Sequence, residues 1–157
     1  MMMNRKYKIL PHIFLPQYNK SLYIDSNILI GRNPLDLANK YLHDQDFLLP
    51  KHWSRDCIYD EARACIKLGK SGFDETCQQM KKYKKESFPA NFGLGVNAII
   101  FRNHNATNIK FLMDFWWKEL NESVKRDQLC LAYVLWKSGI TFNYMDESAR
   151  NDNLYFK

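Results

Sequence analysis

The chain contains 157 residues, of which 46% are hydrophobic and 15% aromatic, and its formal net charge is +6. This length and composition suffice for a hydrophobic core without disulfides or a structural metal, so we expect one domain over residues 1–157. The positive charge favours an anionic partner, such as a nucleotide diphosphate, an acidic glycan, a nucleic acid or an anionic membrane surface.

Neither the apolar segments nor the cysteines point to a membrane-spanning or secreted protein. No apolar stretch is long enough to cross a bilayer, and no signal-peptide core follows Arg5 and Lys6. We therefore expect a cytoplasmic protein without a transmembrane segment, and peripheral membrane contact stays open. The four cysteines have no CxxC spacing, which argues against a zinc site or a disulfide framework.

The first informative segment is an apolar run over residues 22–30 that is interrupted by Asp25 and Asn27. A desolvated carboxylate is costly unless it finds a partner, so something must meet Asp25. One interpretation is a turn between two short strands, because Asp, Ser and Asn hydrogen-bond their own backbone. The other is a carboxylate at the end of a strand, directed at a divalent metal or at the diphosphate of a nucleotide.

Helical and strand patterns alternate along the rest of the chain. Helices are predicted over residues 34–43, 54–69, 74–85, 107–120 and 124–139, and strands over residues 96–101 and 140–145. Asn33 caps the first of these helices and Pro34 occupies its first position. This alternation is typical of an α/β protein.

Residues 88–95 and the end of the following strand are the next candidates for ligand contact. Gly93 and Gly95 let the backbone approach a ligand closely, although ordinary turn geometry explains the same glycines. Arg102 and His104 follow the strand predicted over residues 96–101, at the position where open α/β sheets usually bind ligands.

Two further polar groups stand out from an apolar background. Arg126, Asp127 and Gln128 open the last helix, where backbone donors stabilise a carboxylate, and an ordinary acidic bias at helix starts explains Asp127 equally well. His52 and Arg55 precede another helix, whose free N–H groups make this segment suitable for binding a phosphate or a carboxylate. The simpler interpretation of His52 and Arg55 is that they are solvated.

The motifs of several large enzyme classes are absent from the sequence. It contains no Walker loop, GxGxxG, HExxH or GxSxG, which argues against the commonest nucleotide-binding, metalloprotease and serine-hydrolase families. Nucleic-acid binding is weakly supported, because the basic residues are scattered and aromatic residues such as Phe115 and Trp116 fit a core face.

Taken together, these segments resemble GT-A glycosyltransferases, and most closely a glycosyltransferase-like family, formerly a domain of unknown function, with bacterial polysaccharide-cluster and plant wall-related members. The resemblance begins with the basic residues 5–11 and with the strand that ends in Asp25 and Asn27. It continues over nearly the whole chain at His52, Arg55, Tyr59, Glu61, Gln79, Tyr83, residues 91–94, Arg102, His104, Trp117 and residues 126–129.

The resemblance implies a Rossmann-like GT-A core with a mixed, mainly parallel sheet, and transfer of a sugar from a nucleotide-sugar donor to a glycan or other hydroxyl acceptor in polysaccharide biosynthesis. It assigns Asp25 and Asn27 to a Mn²⁺ or Mg²⁺ site, expects no organic cofactor, and makes Asp127 a catalytic base or a stabiliser of positive charge. The substrate-binding residues that it implies are Arg5, Lys8, His52, Arg55, Asn91, Gly93, Leu94, Arg102, His104, Arg126 and Gln128.

Two departures from the family pattern lead to an alternative function. Asn27 replaces the second Asp of the general DxD motif, which removes one charge from the metal site. Relatives carry a further βαβ segment before the equivalent of Arg5, so we expect an N-terminally shortened fold that corresponds to the central and C-terminal portion of GT-A. The alternative is a catalytically inactive remnant or a glycan-binding module of the same fold.

Overall fold

The computed structural model describes residues 2–42 and 45–157. The helices are α1 (Met2–Ile9), α2 (Pro11–Phe14), α3 (Leu35–Tyr41), α4 (Ile58–Lys67), α5 (Phe73–Lys85), α6 (Thr107–Glu122) and α7 (Asp127–Ser138). The strands are β1 (Ser21–Ile24), β2 (Phe47–Pro50), β3 (Ile99–Arg102) and β4 (Asn143–Met145). The α/β class predicted from the sequence is confirmed.

The four strands form one mixed sheet in the order β1-β3-β2-β4. β3 is antiparallel to both β1 and β2, whereas β2 is parallel to β4. The predicted mixed sheet is confirmed, but the prediction that it is mainly parallel is wrong for the strand pairing. Since β1 and β2 both run against β3, they share one direction, and β4 shares it because it is parallel to β2. These three strands therefore end at the same edge of the sheet.

Each face of the sheet is covered by its own cluster of buried side chains. Side chains alternate between the two faces of a strand, so Phe47 and Leu49 of β2 join one cluster and Leu48 joins the other. The first cluster also contains the apolar faces of α6 and α7, with Trp116 fully buried in it. The second is formed by α3 and by side chains near the end of the chain, including Phe156.

The element boundaries follow local chemistry. Asn33 Oδ1 accepts a hydrogen bond from the Leu35 N–H at 3.1 Å, as expected for the start of α3. The predicted end of that helix at His43 lies outside the described residues. Gly139 ends α7 in the left-handed region, with a φ of 66° that glycine adopts readily.

Candidate functional site

A cleft of about 450 Å³ lies at the edge where β1, β2 and β4 end and β3 begins. The segments after these three strands and the segment before β3 line it, and Lys8 of α1 and the start of α7 complete it. Among the site residues predicted from the sequence, those found in the lining of the cleft are Lys8, Asp25, Asn27, His52, Arg55, Arg126, Asp127 and Gln128. The shared strand direction therefore brings together side chains that are far apart in the sequence.

Lys8 and Asp127 form an ion pair inside this cleft. The Lys8 Nζ lies 2.6 Å from the Asp127 Oδ2, and the two side chains are only 7% and 13% exposed. The Trp116 Nε1–H donates to the Asp127 backbone carbonyl at 3.1 Å, which ties the first turn of α7 to α6. Asp127 is therefore held in place both through its backbone and through its side chain.

The environment of Asp127 keeps its carboxyl ionised. Burial alone would raise the pKa of Asp127, but the charge and hydrogen bond of Lys8, with the charges of Arg5 and Arg126, lower it below its ordinary value. A carboxylate with a lowered pKa is a weak general base at neutral pH. It remains well suited to stabilise positive charge that develops on a substrate.

A tyrosine lies between Asp25 and the Lys8–Asp127 ion pair. The Tyr23 hydroxyl donates to the Asp25 Oδ1 at 2.8 Å, and the Lys8 Nζ lies 4.8 Å from the centre of the Tyr23 ring. Burial, the hydrogen bond to Asp25 and the negative charges of Asp25 and Asp127 raise the pKa of Tyr23. Tyr23 therefore remains a neutral hydrogen-bond donor that orients Asp25 next to the ion pair.

His52, Arg55 and Glu61 form a second polar group in the lining of the cleft. The Arg55 Nε donates to the Glu61 Oε2 at 2.6 Å, and the His52 Nε2 lies 3.7 Å from the same oxygen. The His52 Nδ1 accepts the backbone N–H groups of Ser54 and Arg55, and burial lowers the pKa of His52. His52 is therefore a neutral ring whose lone pair holds the loop, and it is poorly placed to act as a base.

The loop over residues 91–95 hydrogen-bonds two residues that line the cleft. The Leu94 carbonyl accepts the His52 N–H at 2.8 Å, and the Gly95 carbonyl accepts a hydrogen bond from Gln128 Nε2 at 3.1 Å. Asn91 is exposed, and Gly93 lies against the Tyr144 ring. Asn91, Gly93 and Leu94 therefore lie outside the lining of the cleft.

Arg102 and His104 lie at the other edge of the sheet. Arg102 pairs with Ser21 at the start of β1 and with Phe47 at the start of β2. The prediction that Arg102 and His104 face the ligand site is wrong, because β3 runs against its neighbours and ends at the edge away from the cleft. Arg102 is fully buried and bonds Ser21 Oγ, and the His104 ring contacts the Leu15 carbonyl.

The cleft carries an excess of positive charge. Its carboxylates are Asp25, Glu61 and Asp127, and its cationic side chains are Lys8, Arg55, Lys70, Arg126, Arg150 and Lys157. Lys8 and Arg55 are neutralised by the ion pairs described above, whereas Lys70 and Arg126 have no carboxylate partner among the residues that the structure describes. Such a surface attracts a multiply charged anion.

Asp25 and Asn27 fit a divalent metal only in combination with a ligand. Within residues 2–42 and 45–157, no three His, Cys, Asp or Glu side chains form a cluster that would hold a metal. Mg²⁺ is commonly held by one or two protein carboxylates together with substrate phosphates, and both residues offer hard oxygen atoms. A metal at this place would therefore need further oxygen ligands, from water or from a bound phosphate compound.

Several residues that line the cleft are not among those predicted from the sequence, and Trp53, Arg150 and Asn97 are examples. Trp53 is 57% exposed and stacks on the His52 ring at 4.2 Å, and Arg150 lies over the Trp53 ring at 5.0 Å. Asn97 is buried, and its Nδ2 has no hydrogen-bond partner in the described part of the chain. An exposed tryptophan beside two candidate residues was a usable signal, whereas a single Asn before a strand gave none.

The comparisons with known proteins identify a family. The family model of the TOD1/MUCI70, glycosyltransferase-like domain matches residues 2–153. No curated protein and no solved structure shows a significant match. In the part of the chain that the structure describes, no helix combines the length and the apolar character needed to cross a membrane.

Proposed function

Because this chain belongs to the TOD1/MUCI70 glycosyltransferase-like family, we propose that it transfers a sugar from a nucleotide-sugar donor to a hydroxyl group of a glycan or other acceptor. The fold would then be a variant of the Rossmann-like GT-A core. The observation that carries this proposal is the presence of Asp25, Asn27 and the Lys8–Asp127 ion pair in one positively charged cleft.

The donor diphosphate is proposed to lie beside Asp25 and Asn27, within reach of Arg126. A diphosphate would bring negative charge to a cleft that has an excess of cations. When bound, a divalent metal would neutralise part of the charge of the departing diphosphate. Arg126 would contribute through its guanidinium, whose buried Nε has no partner within the described residues.

Asp127 is proposed to act on the sugar at the reacting carbon. As the bond from the anomeric carbon to the diphosphate oxygen breaks, positive charge develops on the sugar, and the ionised Asp127 stabilises it. The acceptor oxygen then bonds to the anomeric carbon and becomes strongly acidic, so that even a carboxylate with a lowered pKa takes its proton. The products are the glycosylated acceptor and the nucleoside diphosphate.

Donor binding is the first test of this proposal. The purified chain is titrated with UDP- and GDP-sugars in the presence of Mn²⁺, and the melting temperature is recorded, because a ligand of the folded state raises it. We expect at least one donor to stabilise the protein and the Asp25→Ala variant to lose this effect. Asp36→Ala, which removes an exposed carboxylate, is the matched control and should respond like the wild type.

Turnover is the second test. Asp127→Asn should reduce sugar transfer by about 10²–10⁴-fold. Asp74→Asn, at an exposed carboxylate in the first turn of α5, is the matched control and should leave turnover unchanged. Since Asp127→Asn leaves the buried Lys8 without its partner, activity is measured well below the melting temperature of the variant.

The same experiments separate the proposal from the alternative function. If no donor stabilises the protein but an acceptor glycan does, the chain is a glycan-binding module rather than an enzyme. If a donor binds and Asp127→Asn transfers sugar at the wild-type rate, the catalytic role belongs to another residue.

A further inference from the structure

A second cavity of about 810 Å³ adjoins the cleft. It lies between the segment that leads into α5, the connection from α6 to α7, and Arg5 of α1. Lys70 and Arg126 line both the cavity and the cleft, so the two spaces are neighbours. A ligand in the cavity would therefore lie next to a ligand in the cleft.

The cavity has an excess of positive charge that ion pairs within the described chain do not neutralise. The Lys82 Nζ is paired with the Glu119 carboxylate at 2.7 Å and is neutralised by it. Arg5, Lys70 and Arg126 have no carboxylate within ion-pair distance among the described residues. These three cationic side chains are therefore available to an anion.

The other charged groups of the cavity do not remove this excess. Lys125 Nζ donates to the carbonyls of Leu120 and Asn121 and keeps its charge. Glu75 and Glu122 are the carboxylates of the lining within the described chain, and both are exposed, so solvent screens them. The net charge of the lining thus remains positive.

A buried amide adds a second kind of recognition. Gln79 is 4% exposed, and its Nε2 donates to the Tyr83 hydroxyl at 2.7 Å and to the Ser123 Oγ at 3.2 Å. Its Oε1 is buried and accepts no hydrogen bond from any residue that the structure describes. An unpaired buried acceptor costs free energy, so this oxygen suits a ligand that brings a hydrogen-bond donor.

We propose that this cavity binds a sugar unit that carries a negative charge, as part of the acceptor of the transfer reaction. The sugar supplies hydroxyl donors for Gln79 Oε1, and its carboxylate or phosphate group meets Arg5, Lys70 and Arg126. Only the assignment to the acceptor rests on the proposed function. The binding site itself follows from the cavity, its charge and the unpaired amide.

The test is an NMR titration of the ¹⁵N-labelled chain without donor or metal. The probes are D-glucuronate, glucose 6-phosphate, D-glucose and inorganic phosphate, and the amides of Gly72, Gln79, Ser123 and Arg126 report on the cavity. We expect glucuronate or glucose 6-phosphate to shift these amides with a Kd at least about tenfold below that of glucose. Which of the two binds more tightly identifies the charged group as a carboxylate or a phosphate.

Variants link the binding to particular charges. Lys70→Gln and Arg5→Gln should each raise the Kd of the charged sugar about fivefold, a size typical of partly exposed ion pairs. Lys81→Gln removes an exposed cation from α5 outside this cavity and is the matched control for Lys70→Gln, for which an unchanged Kd is expected.

Four results would overturn the inference. These are equal affinity for glucose and the charged sugars, equal affinity for inorganic phosphate and the charged sugars, an unresponsive set of reporter amides, or equal effects of Lys70→Gln and Lys81→Gln. The titration is independent of the donor, so its failure is distinguishable from failure of the proposed function. A chain that binds glucuronate here but no nucleotide sugar would retain the site and lose only the transferase proposal.

Discussion

The Lys8–Asp127 ion pair gives the sharpest test of the site, through the Lys8→Met substitution. Methionine retains much of the side-chain volume but leaves a buried carboxylate without its nearest cation. Breaking a buried ion pair in this way typically costs about 3–5 kcal/mol. Arg5 and Arg126 also act on Asp127, so we expect a loss near the lower limit, about 3 kcal/mol of unfolding free energy at pH 7.

The pH dependence of this loss identifies its cause. In the wild type, the lowered pKa of Asp127 adds stability above the unfolded-state value of about 3.9, and this contribution disappears as the pH falls. In Lys8→Met, burial raises the pKa of Asp127 with less opposition, so the folded variant is stabilised as Asp127 takes up a proton. The stability difference between the two proteins should therefore shrink from pH 7 towards pH 4.

Urea denaturation at a series of pH values measures this difference. For a chain of this size, the expected loss corresponds to a melting temperature lower by roughly 6–12 °C. Lys6→Met, at an exposed position of α1, is the matched control and should change the stability by less than about 0.5 kcal/mol. A loss below about 1 kcal/mol for Lys8→Met, or a difference that does not vary with pH, would refute a buried ion pair at this place.

Three further predictions concern the surroundings of the cleft. Glu61→Gln should lower the free energy of unfolding by about 2 kcal/mol, because Arg55 loses a hydrogen bond to a charged acceptor. Urea denaturation measures this loss, and an unchanged denaturation midpoint would contradict the Arg55–Glu61 pairing. Burial lowers the pKa of Arg102, because its charge is desolvated without a carboxylate partner among the described residues, so Arg102→Met should raise the free energy of unfolding at pH 7 by about 1 kcal/mol in urea; an unchanged or lowered value would contradict this. Gly93 has a φ of 107° and lies against Tyr144, so Gly93→Ala should lower the melting temperature by several degrees in calorimetry, whereas a wild-type value would show that the loop adapts.

The sequence predicts the elements better than it predicts their arrangement. The helices that carry apolar residues at helical spacing, such as α6 and α7, are found within a few residues of their predicted limits. β2 is missed because its run over residues 47–50 is short, entirely apolar and ends in proline. β3 begins at Ile99 rather than at residue 96, because residues 95 and 96 bond to the neighbouring segment outside the main ladder.

Strand direction decides which polar residues meet, and the sequence pattern does not contain it. Asp25 and His52 each follow a strand, and both line the cleft because β1 and β2 run the same way. Arg102 is the last residue of β3, which runs the other way and carries it to the opposite edge. A position at the end of a predicted strand thus lies at the cleft for Asp25 and away from it for Arg102, because the edge that a strand end reaches depends on long-range pairing.

The two interpretations of Asp25 are compatible once backbone and side chain are considered separately. The Asp25 N–H donates to the Ala98 carbonyl at 2.8 Å, and its carbonyl accepts the Ile28 N–H at 3.0 Å, so the backbone forms a turn at the end of β1. The turn satisfies the main chain and leaves the carboxylate in the cleft, where Tyr23 occupies only one of its oxygen atoms. A turn at this place is therefore what makes Asp25 available to a ligand.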